Sequence, residues 1–260
     1  MSTSRTLFTV EGAVAFLTFN RPEARNAMTW DMYEALVEAC DRVDRTEAVR
    51  LFVLRAEGKA FIAGTDISQF SRFASRDDAV AYERRIDSVI DRLERVSAAT
   101  LAQVQGVAAG GGCAIALACD LRVCTADARF GIPIARTLGN CLSAANYARL
   151  LDMIGPSRVK DLLFTGRLID ATEAASFGLV TRMADPSTID DAVLEVAATI
   201  AANAPLTIRA TKEAVRRIQA GRRIEAAQVD DLIAMCYSSD DFKEGVAAFL
   251  AKRPPLFKGR

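Results

Sequence analysis

Hydrophobic and polar positions change rhythm several times along this chain, and each change marks an element. Leu7 to Val10 and Val14 to Phe19 are short apolar-rich runs on either side of Glu11-Gly12, the pattern of two strands joined by a turn. After Thr29, a residue type suited to an N-cap, Met32, Leu36, Val37, Cys40 and Val43 recur at helical spacing on one face. Leu51 to Leu54 is apolar, flanked by charges and too short for a helix, which predicts a buried strand. Phe61 to Asp66 predicts a strand end running into a loop. The helical period returns at about 77–96, with Val80, Ile86, Val89, Ile90 and Leu93 facing inward.

Leu101 to Val104 predicts another strand; Gly106 and the triplet Gly110-Gly111-Gly112 then lead into a small-residue helix through Ala118. Leu121 to Thr125 and Arg129 to Phe130 have the character of strands, and the stretch from 142 onward is mostly helical: about 142–153, 156–164, 171–177 and 189–203. After Ala204-Pro205 only helices are predicted, roughly 206–219, 223–237 and 240–251, with Pro205 and Gly221 as breaks. A helical tail of about 55 residues is too short to bury much by itself. It is expected to pack on its own core or on another subunit.

Composition narrows the function. With 51% hydrophobic residues in 260, the chain can bury a sizeable core. Lys plus Arg and Asp plus Glu are both 33, so no global charge draws in a nucleic acid. Met1 to Val10 lacks the apolar core of a signal peptide, and no run of about 18 apolar residues predicts a membrane span. The six cysteines form no CxxC pair and sit mostly in apolar runs, which predicts free thiols and a reduced, cytoplasmic setting. The chain has no histidine at all. A Ser–His–Asp triad, a Cys–His pair and a histidine-bound metal are therefore excluded, and no metal site is expected.

Two segments carry candidate chemistry. A glycine triplet opening a helix lets backbone approach a ligand and leaves N–H groups unpaired at the helix start, where the dipole favours negative charge. In Phe61-Ile62-Ala63-Gly64-Thr65-Asp66-Ile67, Gly64 permits an unusual backbone conformation and Asp66 can cap the next turn. The order and companions of these segments resemble the enoyl-CoA hydratase/isomerase (crotonase) family. The likeness includes Asn20-Arg21-Pro22, Arg25-Asn26-Ala27, Gly-Gly-Gly-Cys at 110–113 followed by Cys119-Asp120, Ala128 to Gly131, Leu163 to Gly166, Ala174 to Val180 and Phe249 to Lys252.

The resemblance implies an α/β fold: a spiral of strand–strand–helix turns over about 1–198, then a helical trimerisation region over 199–260. It implies an acyl-CoA thioester as substrate, no permanently bound cofactor, and a homotrimer or dimer of trimers. By the same resemblance the backbone N–H groups of Thr65 and Gly111 form an oxyanion hole for the thioester carbonyl. Ala24, Ala63, Asp66 and Ile67 match positions that meet CoA, Arg25 lies where a basic residue could meet phosphate, and Phe249 and Lys252 match tail positions that contact CoA, often across a subunit boundary.

The sequence departs from the family at the two glutamates that usually exchange protons. Ala114 occupies the first position; Ile134, or Ala135 if the longer loop shifts the match, occupies the second. Arg136, Asn140 and Cys141 on the altered loop, with Tyr147 beyond it, are the substitutes the sequence offers. Asp66 and Asp120 suit structural roles, a cap and a strand-end partner. Three functions follow: an acyl-CoA enzyme with relocated acid–base groups, a noncatalytic acyl-CoA binder, or an assembly protein using its helical tail.

Overall fold

Nine strands and ten α-helices are formed among the residues that the computed structural model describes: 4–72, 76–222 and 224–259. A six-stranded sheet has the order β1(Thr6–Glu11), β2(Val14–Phe19), β3(Leu51–Ala56), β4(Ala99–Val104), β6(Leu121–Thr125), β9(Arg182–Ala184). Only the β1–β2 hairpin is antiparallel; the other neighbours are parallel. A smaller sheet joins β5(Val107–Ala109), β7(Arg129–Gly131) and β8(Ile169–Asp170). The chain thus visits one sheet and then the other, and a helix closes each turn of the spiral.

Side-chain alternation decides which layer each strand residue enters. Leu17, Phe19, Phe52, Leu54, Ala102 and Val104 join the main core with α1(Trp30–Asp44), α2(Arg76–Glu94) and α3(Gly111–Ala118). Phe16, Leu51, Val53, Ala99, Leu101 and Val123 face the other way onto Ile189, Val193 and Ala197 of α7(Ile189–Ala202). Burial on both faces explains why β2, β3 and β4 read as nearly continuous apolar runs.

Several expectations change. β5, β8 and β9 were not foreseen: strands of two or three residues carry no detectable period and exist because a neighbouring strand supplies their partners. The loop after Pro133 holds a single helical turn, α4(Ile134–Thr137). The helices expected at 142–153 and 156–164 form α5(Ala144–Thr165), capped by Ser143 and interrupted at Gly155, where φ is 74°. Thr29 occupies the N-cap position of α1, but its hydroxyl caps nothing; Gln69 accepts from the Trp30 N–H instead. The boundary expected at 198 falls inside α7.

The expected helix at 223–237 begins at Arg223, outside the described residues; a 3₁₀ turn at Ala226–Val229 precedes α9(Asp230–Tyr237). The tail divides in two. α8(Pro205–Ala220) turns through 104° from α7, buries none of its residues and leaves Leu206 77% and Ile218 64% exposed. α9 and α10(Asp240–Leu250) fold back over α2, where Tyr237 and Phe242 stack with Phe70 and Tyr82.

Candidate active site

The site begins with two backbone segments pressed together. Ile62 bridges Ala108, donating to the Val107 carbonyl and accepting from the Ala109 N–H. One step on, Thr65 bridges Met28; those hydrogen bonds run from Met28 N–H to Gly64 O and from Asp66 N–H to Met28 O. The Thr65 N–H itself meets no acceptor among the described residues. Gly111 is the first residue of α3, where N–H groups have no intrahelical partner, and it too has none. A Cβ on Gly111 would lie 3.8 Å from the Thr65 nitrogen, so the two unpaired amides are neighbours.

Glycine is required for this approach at two positions. Gly110 adopts φ 51° and its Cβ position is 3.7 Å from Gly64 Cα. At Gly112 a Cβ would stand 2.2 Å from the Ile62 carbonyl oxygen, inside any tolerable contact. The Thr65 hydroxyl is fixed from the other side by Tyr33 at 2.8 Å and Tyr82 at 3.2 Å. Asn26 locks the outer loop through its amide: Nδ2 donates to the Glu57 and Ala60 carbonyls and Oδ1 accepts from the Arg21 N–H, at 2.7–2.9 Å.

These segments form one wall of a cavity of about 140 Å³. Ala114 and Ile134, the residues expected where the resembled family has its glutamates, both line it and present only apolar groups. The lining that α2 contributes is different. Glu83 of α2 lines the cavity with only 5% of its surface exposed. Tyr237 of α9 donates its hydroxyl hydrogen bond to Glu83 Oε1, Asn140 Nδ2 donates to the Tyr237 oxygen at 3.0 Å, and the Ser143 backbone amide also bonds the carboxylate. Burial pushes the Glu83 carboxyl up to about 8 despite the Tyr237 bond, which acts the other way. Asn140 Oδ1 is buried without a partner among the described residues.

Of the residues expected at the site, Ala63, Thr65, Ile67, Gly111, Asn140 and Phe249 line this cavity. Phe249 reaches the pocket of its own chain, because α10 folds back over the turn at 67–72. Ala24 and Arg25 lie outside the cavity on the loop that meets Ala63, whose N–H donates to the Arg25 carbonyl at 3.0 Å. Asp66 is turned away: Arg21 at 2.8 Å and Ser68 at 2.7 Å hold it, and although burial opposes ionisation these bonds keep its carboxyl below the usual range. Lys252 is exposed beyond α10. Asp120 is the expected strand-end partner, accepting from the Thr100 N–H and from Lys212, both at 2.7 Å.

Three of the substitutes the sequence offers lie outside this cavity. Arg136 is exposed and its Cβ packs over Gly166, on the side of α4 away from the cavity. Cys141 is buried outside the cavity, donating to the Leu232 carbonyl at 3.6 Å; its bond to Cys236 and burial push the thiol up, the opposite of activation. Tyr147 is also absent from the lining, and burial raises its phenol. Glu83 was missed, although a signal existed. It sits three residues after Val80 and three before Ile86, so a charge interrupts the inward stripe of α2.

A sequence model of the enoyl-CoA hydratase/isomerase family matches residues 9–260. The chain belongs to this family. It is 32% identical to a short-chain-enoyl-CoA hydratase of Clostridium acetobutylicum over 97% of each chain, and 33% identical to a crotonyl-CoA hydratase of Syntrophomonas wolfei over 95% of each. Among solved structures, an enoyl-CoA hydratase/carnithine racemase from Magnetospirillum magneticum superposes with a TM-score of 0.79 at 31% identity, covering 100% of this chain and 97% of its own. A methylmalonyl-CoA decarboxylase in complex with 2-nitronate-propionyl-CoA superposes more closely, at 0.90 over the whole of both chains; at 24% identity that likeness shows the shared fold alone. The enoyl-CoA hydratase/isomerase family and the spiral architecture expected from the sequence are thereby established, and an acyl-CoA thioester as substrate fits that family.

Proposed function

We propose that this family member binds a short-chain acyl-CoA thioester, places its carbonyl oxygen between the N–H groups of Thr65 and Gly111, and stabilises the enolate. The observation that carries this reading is the pair of neighbouring amides, neither with an acceptor among the described residues, on two residues that line one cavity. Fixed donors in a dry site contribute about 3 kcal/mol each to a developing oxyanion. A cavity of about 140 Å³ resembles one that holds a six-carbon ring, so an acyl group of roughly four to six carbons fits. The coenzyme itself would lie outside, toward Ala24, Arg25 and Lys252, and is part of the substrate rather than a resident cofactor.

Ala114 and Ile134 argue against the usual two-glutamate hydration. The expected result with crotonyl-CoA is slow loss of enoyl-thioester absorbance in the natural protein and faster loss in an Ala114→Glu/Ile134→Glu variant. Turnover by the natural protein at a hydratase-like rate would overturn this reading. The second reading, a noncatalytic acyl-CoA binder, draws on the same apolar pair. It predicts tight calorimetric binding of butyryl-CoA with no chemical change in any acyl-CoA.

Assembly belongs to the same proposal. Leu206 and Ile218 on α8 and Phe164 at the end of α5 are exposed apolar groups, and their burial in a trimer or a dimer of trimers would account for them. Leu206→Asp/Ile218→Asp should lower the sedimentation mass; an unchanged mass excludes α8 as the contact. A cytoplasmic location is proposed on the six free cysteines.

A further inference from the structure

Two of the described residues that line the cavity, Tyr82 and Glu83, carry an acid or base, and burial raises the Tyr82 phenol well above its ordinary value. Among the described lining residues, Glu83 is the one carboxylate. It is buried at 5% exposure, and its hydrogen bonds come from Tyr237, 154 residues further along the chain, and from the Ser143 amide. A carboxylate kept only for stability in such a place is costly, since burying a charge is expensive unless it is fully paired. No arginine or lysine pairs with it among the described residues.

We propose that Glu83 is the proton-carrying catalytic residue of this site, exchanging a proton with the carbon next to the thioester carbonyl. The inference rests on the acyl-CoA reading above and deepens it. In the ionised form, Glu83 removes the α-proton: the C–H bond breaks, an O–H bond forms on Glu83, and the freed electron pair makes a double bond to the carbonyl carbon. The carbonyl π pair moves onto the oxygen held by the Thr65 and Gly111 amides. Return of the proton to the α-carbon restores the starting ester. Return to the γ-carbon of a β,γ-unsaturated ester shifts its double bond into conjugation, or the reverse. No water, oxidant or other co-reactant is consumed, so one carboxylate suffices.

Three features of the site suit that task. A carboxyl raised to about 8 is a stronger base than an exposed one and is still partly ionised near neutrality. Tyr237 positions the carboxylate, and Asn140 positions Tyr237, so the network is tied across α2, α9 and the loop before α5. Ala114 presents only a methyl group to the same cavity that Glu83 lines. The other titratable groups that act on Glu83, or on which it acts, are Asp87 and Tyr82 of α2, Tyr33 of α1, Cys141, Tyr147 of α5 and Tyr237. Of these, Asp87 is the only carboxylate; it accepts from the Ser143 hydroxyl at 2.6 Å.

The test is wash-out of the α-protons of butyryl-CoA in deuterium oxide, read by mass spectrometry, with calorimetric binding of the same ester beside it. Glu83→Gln keeps the shape and should slow wash-out by about 10²–10⁴-fold while butyryl-CoA binding persists and the protein stays folded. Wash-out by Glu83→Gln within threefold of the natural protein overturns the proposal, as does a natural protein that binds butyryl-CoA without exchanging it. Failure to bind butyryl-CoA at all sinks the acyl-CoA reading beneath it.

Should Glu83→Gln fail to fold, the pH profile of the natural protein decides. Its wash-out rate should rise with pH and level off above about 8. In Tyr237→Phe the lost hydrogen bond should move that midpoint upward, a change that a purely structural carboxylate would not produce. A rate that ignores pH across this range overturns the proposal.

Discussion

The cavity is lined in two ways, by backbone amides at Thr65 and Gly111 and by a buried side-chain network at Glu83. Thr65 and Gly111 contribute amides that are neutral, fixed by β-bridges and a helix start, and indifferent to the side chain attached. Glu83, Tyr237 and Asn140 contribute groups that are expensive to bury and must be satisfied by one another. The first lining is held by steric closeness, the second by electrostatic pairing. The two should therefore fail differently: the first by loss of shape, the second by a change in its response to pH.

The sharpest break is Gly112→Ala. Its methyl would meet the Ile62 carbonyl at 2.2 Å, backbone against backbone, so either α3 or the bridge must move. Loss of about 3 kcal/mol in denaturant unfolding is expected, together with loss of butyryl-CoA binding. Unchanged stability would show that the amide lining is looser than its contacts imply.

Glu83→Gln probes the side-chain network by stability. The folded-state pKa of Glu83 lies above its unfolded value of 4.5, so the folded protein holds this proton more tightly. The stabilisation from that proton is complete below about 4.5 and is lost as pH rises to about 8. Compared with the natural protein, Glu83→Gln should gain stability over the same window, reaching roughly 2 kcal/mol above it once the weaker hydrogen bond from Tyr237 is counted. A difference in Tm that stays constant with pH would show that Glu83 ionises normally.

Thr65→Val separates the amide from its side chain. The hydroxyl that meets Tyr33 and Tyr82 is lost while the N–H stays, so stability should fall by about 1 kcal/mol and kcat/KM by less than in Glu83→Gln. A larger activity loss than in Glu83→Gln would reverse the ranking of the two linings. Smallest of all, Arg136→Ala should change stability by less than about 0.5 kcal/mol, since the side chain is exposed. A measurable loss of acyl-CoA turnover in that variant would return Arg136 to the site.

The amide lining was legible in the sequence because glycine leaves a record. Gly64, Gly110 and Gly112 are where backbone meets backbone, and no other residue fits the last of these positions. The long apolar strands and amphipathic α1 and α2 were legible for a similar reason: each repeats its own period within a few residues. What escaped were β5, β8 and β9, whose two or three residues have no period of their own, and the division of the tail into an exposed α8 and an α9–α10 pair that closes the pocket.

Sequence alone determined the family, the spiral of alternating elements, the paired amides as candidates and the absence of a carboxylate at 114 and 134. Only tertiary structure decided that Phe249 lines the cavity of its own chain, that Arg136 and Cys141 lie outside it, and that Glu83, which lines it, bonds Tyr237. Local spacing fixes which face of a helix a residue occupies. A pKa and a hydrogen-bond partner depend on what the rest of the chain packs against that face, and here the partner lies 154 residues away.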